Sequence, residues 1–253
     1  MKLTRTLLSA ALCLTLILAL CPRRTGAAES EPAPVTVEAV ALTPAPDAPD
    51  GLAHVRLLIL GDSMSSYGAA DRPVYPSGNV NDQAKMWYSL LDGRLPWVAD
   101  ETEVIALAGA GYSGSAEEPA VFGSVDRVGM QAPDVVILAL GMDDPWNAGS
   151  AVETGLRAAL AQVSEWWPEA AVIVLIPPEN DLNGAADRDT ARLLFNAAWE
   201  DARLAARELG ARVIDLRDCF DPGRYALYTI DGLHPNSMGM AAIADFIAES
   251  LAE

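Results

Sequence analysis

Basic residues, histidine and cysteine are all scarce in this 253-residue chain. Against 35 Asp and Glu there are 17 Lys and Arg, giving a formal net charge of −18. No basic patch is visible, which excludes nucleic acid as a partner and disfavours docking on anionic lipid. Two of the three cysteines, Cys13 and Cys21, lie close to the N-terminus. Cys219 is left alone, so no internal disulfide is expected and burial must hold the folded part together. The only histidines are His54 and His234, too few imidazoles and thiols for a zinc site. No apolar run reaches the roughly 20 residues that a membrane-spanning helix needs.

What is present at the N-terminus has a recognisable order. Lys2 and Arg5 precede an apolar run from Leu7 to Cys21, and Thr25-Gly26-Ala27-Ala28 offers small residues for cleavage. Residues 1–28 therefore read as a secretory signal peptide, and the expected location is secreted, periplasmic or cell envelope. Arg23 and Arg24 stand between the run and the cleavage site, which keeps an uncleaved signal anchor as the alternative. Leu20 is bulky for lipoprotein processing at Cys21. Loss of the four cations in this segment would leave the mature chain at −22. Residues 29–53 carry prolines at 32, 34, 44, 46 and 49 and read as an extended or disordered acidic linker. Residues 54–253 then form one domain, long enough to bury a large core.

Within that domain five apolar segments predict buried strands, at 54–60, 103–108, 133–140, 170–176 and 211–216. Their nearly continuous Val, Ile and Leu content suits parallel strands covered on both faces. Helical periodicity predicts helices over 151–167, ended by Pro168, and over 189–209, ended by Gly210. A last helix places Ile243, Phe246, Ile247 and Leu251 on one face. The alternation implies an α/β fold, a three-layer α/β/α sandwich around a five-stranded parallel sheet. A long Gly-, Pro- and Asn-rich insertion, residues 65–83, separates the first strand from the next predicted helix; loops of that length are uncommon unless they shape a site. Trp87, Tyr88, Trp97 and Trp146 are either core residues or the lining of a sugar or acyl site.

Four short stretches carry chemistry. The first strand runs straight into Gly61-Asp62-Ser63, at the carboxyl end where open α/β sheets place their ligands. "ALAGAGYSG" follows the second strand, and Gly111 can present its backbone N–H at close range. "LALGMDDP" follows the third strand and brings Gly141, Asp143 and Asp144 to the same edge. Near the C-terminus, "TIDGLHPNSMG" sets Asp231 three residues before His234. Pro235 pushes His234 out of helical geometry, so this segment is a loop in which the carboxylate can fold back to Nδ1. Nε2 is then free to take a proton, the orientation a catalytic triad requires. His54, at the start of the first strand, has no such surroundings.

In this order and spacing the four stretches resemble the SGNH/GDSL hydrolases, over essentially the whole globular part. No G-x-S-x-G elbow occurs, which tells against the other large family of α/β ester hydrolases. The resemblance implies a flavodoxin-like fold and cleavage of an acyl ester without metal or cofactor. It implies Ser63 as nucleophile, His234 as general base and then acid, and Asp231 as its orienter. The oxyanion hole would be formed by the N–H groups of Ser63 and Gly111 and by the residue at position 143. There the family has asparagine and this chain has Asp143. An ionised carboxylate cannot donate a hydrogen bond, so either burial keeps Asp143 protonated, Asn147 substitutes for it, or the reaction is slow. The implied substrates are small acyl esters, lipids or acylated glycans. A binding protein with a decayed site and an acyltransferase to a sugar hydroxyl are the alternatives.

Overall fold

The computed structural model describes residues 52–66, 82–114, 119–179, 187–221 and 224–252. The predicted signal segment (1–28), nearly all of the predicted linker (29–53) and most of the long insertion (65–83) fall outside these. Five strands form one parallel sheet: β1 (Ala53–Gly61), β2 (Trp97–Ala106), β3 (Val135–Ala139), β4 (Ala171–Ile176) and β5 (Arg212–Asp215), in the order β2-β1-β3-β4-β5. Strand order reverses direction between β1 and β3, the switch point at which such sheets open a crevice.

Alternation along β1 divides the core between the two faces. Val55, Leu57 and Ile59 pack with Met86, Trp87 and Leu91 and with Met240, Ile243 and Ile247 of the C-terminal helix. Leu58 and Leu60 pack on the opposite face with Tyr112, Phe122, Leu156, Phe195 and Trp199. That second face is covered by α1 (Ser150–Trp166) and α2 (Arg188–Glu208). After a single helical turn, α3 (Tyr225–Tyr228), the chain ends in α4 (Ser237–Ala252), which covers the first face. Asp187 caps α2 by accepting from the N–H groups of Asp189 and Thr190, and Gly210, at φ +86°, lets the chain leave its C-terminal end.

Two differences from the sequence pattern have physical reasons. β2 begins six residues earlier than its apolar run, because it is an edge strand whose Asp100, Glu101 and Glu103 face solvent. Charged residues on an exposed edge mask a strand signal and also discourage pairing with another sheet. Among the described residues, the connections on either side of β2 contain no α-helix. They are pinned instead by 3₁₀ turns at Gln83–Lys85, Ser89–Leu91 and Ala120–Ser124, which deliver Leu91, Val121 and Phe122 to the core.

The strand register brings three carboxyl ends flush. Gly61 pairs with Ala106 on one side and Ala139 on the other. The ladder continues one bond further, with Leu107 N–H donating to Gly61 O (3.0 Å) and Asp62 N–H to Ala139 O (3.2 Å). Asp62, fully buried, spans two of these ends: Oδ1 accepts from Met64 N–H and Oδ2 from Met142 N–H, each at 2.9 Å. Burial pushes its carboxyl up to about 7, against the pull of the two N–H donors and with smaller help from the charges of Asp143 and Asp144.

A carboxyl whose folded value lies above its ordinary 3.8 holds its proton longer in the native state than in the unfolded chain. Its contribution to stability is therefore present below about pH 4 and lost as pH rises through 7. Asp62→Asn removes that titration. The Tm difference between this variant and wild type should shift in the variant's favour by several degrees between pH 4 and pH 8, as read by thermal melts. A difference that stays flat over this range would show that Asp62 is already ionised at pH 4.

Candidate active site

Each strand-end turn has a local cause. Gly61 is required because the chain folds back on itself: a Cβ there would collide with the side chain of Ser65. Ser65 is in turn tied to the core by Trp87, whose indole N–H donates to its Oγ at 3.2 Å. Ser63 opens the 3₁₀ turn Ser63–Ser65, with Asp62 as its N-cap. It is thus held at the end of β1 by a backbone that is fixed before and after it.

The structure brings Ser63, His234 and Asp231 into one hydrogen-bonded chain. His234 Nε2 lies 3.1 Å from Ser63 Oγ, and His234 Nδ1 lies 2.7 Å from Asp231 Oδ2. The second carboxylate oxygen of Asp231 accepts from the N–H groups of His234 (2.8 Å) and Leu233 (3.0 Å), closing a turn through Gly232 at φ +86°. Burial works to raise the Asp231 carboxyl, but the His234 ring and these two N–H donors outweigh it and hold it below its ordinary value. An acid kept ionised there fixes the imidazole tautomer with its proton on Nδ1.

The His234 segment is braced independently of Ser63. Ile230 N–H donates to His234 O and Asn236 N–H to Tyr228 O, both at 2.8 Å. Asn236 also caps α4 by accepting from Met238 and Gly239 N–H. Gly239 lets the helix approach: a Cβ would collide with the carbonyl of Tyr228.

Gly111 lies in the turn after β2, at the same edge as Ser63. Asp143 and Asp144, adjacent in sequence, meet opposite environments. Asp143 is exposed, as is Asn147, so the condition for a proton kept by burial is not met. Asp144 is 5 % exposed and accepts from Tyr112 N–H (2.9 Å), Ser113 N–H (2.8 Å) and Ser113 Oγ–H (2.6 Å). Asp62 and Asp144 both lie in the stretches that the sequence marks at this edge, but nothing in the sequence shows that they are buried and tie the turns together. The one usable signal was the glycines facing Asp144, since a side chain at Gly111 or Gly141 would crowd its carboxylate.

Other candidates lie elsewhere. Trp87 and Trp97 are core residues, and Trp146 packs partly buried against the opposite cluster. Tyr88 lines a cavity of about 340 Å3 with Leu57, Gln83, Asp92 and Thr102, which does not include Ser63. His54 pairs with Asp100 at 2.7 Å, near the opposite ends of the strands. Burial raises the Cys219 thiol far above its ordinary range, which suppresses its reactivity as a nucleophile. Among the described residues, no cluster of three or more His, Cys, Asp or Glu could hold a metal ion.

Solved structures with the same fold include a lipase/acylhydrolase from Enterococcus faecalis, at 21% identity and TM-score 0.53, covering 78% of this chain and 95% of that one. A carbohydrate esterase family 2 enzyme with a carbohydrate-binding domain, from Myceliophthora fergusii, is 18% identical with TM-score 0.51, covering 78% and 65%. A psychrotrophic esterase from Pseudoalteromonas, in a structure inhibited by monoethylphosphonate, is 17% identical with TM-score 0.50, covering 78% and 96%. No curated protein gives a significant sequence match. The profile of the GDSL-like lipase/acylhydrolase family matches residues 59–242, from the C-terminal part of β1 into α4. With nearly three-quarters of its length inside that match, the chain belongs to the GDSL-like lipase/acylhydrolase family and is a carboxylic ester hydrolase.

Proposed function

We propose that this chain is an exported serine esterase that works through a covalent acyl-enzyme on Ser63. The hydrogen-bonded chain Ser63 Oγ–His234–Asp231 carries this reading. Nucleophile and base are within reach of each other, and the base is oriented by a third group. His234 Nε2 takes the Ser63 proton as Oγ bonds to the substrate carbonyl carbon. The resulting oxyanion is met by the N–H groups of Ser63 and Gly111. Collapse breaks the ester C–O bond, and His234 returns its proton to the departing alcohol. Water then gives its proton to His234 and attacks the acyl carbon, and the acid and Ser63 are released.

The acidic chain favours neutral esters over anionic ones. The carbohydrate esterase sharing the fold supports an acylated sugar as one such substrate. Export is supported by the order of charge, apolar run and small residues over residues 1–28. The N-terminus of the exported protein, read by Edman or mass-spectrometric sequencing, should lie close to Glu29. An intact Met1 in a membrane fraction would establish the anchor instead.

A fluorophosphonate probe should label Ser63. Ser63→Ala should lose both the label and p-nitrophenyl acetate hydrolysis, and His234→Ala should lower kcat by at least roughly 10³-fold. His54→Ala should leave turnover nearly unchanged. An alanine variant at Ser63 that keeps its rate would refute the mechanism.

Asp143 stands where the family supplies an amide donor. Asp143→Asn restores a neutral donor of nearly the same size, and loss of such a donor costs roughly 10²–10³ in rate. The variant should therefore exceed wild type in kcat at neutral and alkaline pH, with KM little altered. Such a split marks an interaction made in the transition state. A variant no faster than wild type over that range would show that position 143 does not face the oxyanion.

A further inference from the structure

Asp144 is a buried carboxylate that takes no part in the Ser63–His234–Asp231 chain. Among the described residues no Lys or Arg pairs with it. Its two oxygens accept from three donors of a single short segment: the N–H groups of Tyr112 and Ser113 and the Ser113 hydroxyl. Burying a carboxyl group is costly unless its oxygens are hydrogen-bonded. The sheet does not need these bonds. The turn after β3 is closed by Asp144 N–H on Gly141 O, and the turn after β2 by Ala110 N–H on Leu107 O.

The surroundings are cut to admit the carboxylate. A Cβ at Gly111 would collide with Asp144 Oδ1, and one at Gly141 would crowd Oδ2 and collide with Trp199. Tyr112 is pinned from both sides: its ring stands edge-on to Trp199 at 6.0 Å between centroids. Its carbonyl lies where a Cβ on Gly155 of α1 would be. In the run 110–113 the N–H of Ala110 is used by Leu107 and those of Tyr112 and Ser113 by Asp144. Gly111 is thus bracketed by N–H groups that already have acceptors.

We infer that Asp144 is a positioning residue for ester cleavage, clamping the 111–113 backbone so that the Gly111 N–H is held ready for the oxyanion. This rests on the serine mechanism proposed above. Asp144 does not touch substrate; it acts through the peptide it holds. Asp144→Asn keeps the shape but sets an amide NH₂ against at least one of the facing donors. Ser113→Ala removes one of the three bonds and leaves the carboxylate in place.

With p-nitrophenyl acetate, Asp144→Asn should lower kcat by roughly 10- to 100-fold, approaching the loss of an oxyanion donor. KM should stay within about twofold, because the loss is confined to the transition state. The pH midpoint of kcat/KM should not move, since Ser63, His234 and Asp231 are unchanged. Ser113→Ala should show a smaller loss, roughly threefold or more, with a Tm close to wild type. It carries the test alone if Asp144→Asn fails to fold. Wild-type kcat in Ser113→Ala, or in a folded Asp144→Asn, overturns the inference. If Ser63→Ala is dead in the same assay while these variants stay active, only the positioning role falls. An active Ser63→Ala would instead remove the reading beneath it.

Discussion

Everything at the functional edge depends on the register of three parallel strands. Because Gly61, Ala106 and Ala139 are ladder partners, the turns that follow β1, β2 and β3 start level with one another. Parallel pairing with both faces buried leaves little freedom to slip, since a one-residue shift would turn Leu58 and Leu60 to the wrong face. The bulge between Val55 and Arg56 lies at the opposite end of β1, where a dislocation does not reach the site. Fixing strand register for the core thus also fixes the relative heights of Ser63, Gly111 and Asp143.

The same edge collects four carboxylates whose behaviour is set by surroundings rather than by type. Asp62 and Asp144 are buried and satisfied by backbone N–H groups, so they act as internal ties between turns. Asp231 is about half exposed and holds the His234 ring. Asp143 faces solvent. Such crowding is tolerable because the oxygens of the buried pair accept from backbone N–H groups and burial favours the neutral form of Asp62. The buried ties are sequence neighbours of other groups at this edge: Asp62 sits beside Ser63, and Asp144 beside Asp143.

Most of this architecture could be read from the chain, and the exceptions follow from what a sequence encodes. β3 and β4 stand out because both their faces are buried, and the ends of α1 and α2 are marked by Pro168 and Gly210. β2 was partly hidden because only an edge strand can carry Asp100, Glu101 and Glu103. The Asp231–His234 turn was legible because three residues and a proline nearly determine its shape. Which of Asp143 and Asp144 points inward was not, since that depends on the positive φ of Gly141 and on the space left by Trp199. The fate of Trp87 and Trp97 likewise depends on packing between distant segments, which no local pattern records.

The bracing of the His234 loop has a consequence for how the site comes apart. Asp231 and His234 are three residues apart inside one segment, clamped by the Thr229–Pro235 bridge and by Asn236. Ser63 belongs to a different part of the chain, 171 residues away. When structure opens locally, contacts within a segment outlast those between segments. Partial melting near the C-terminus would therefore lift carboxylate and imidazole away as a unit, parting them from the hydroxyl without parting them from each other. Inactivation by mild heat would then precede global unfolding, and on cooling only one contact, Nε2 to Oγ, would have to be found again.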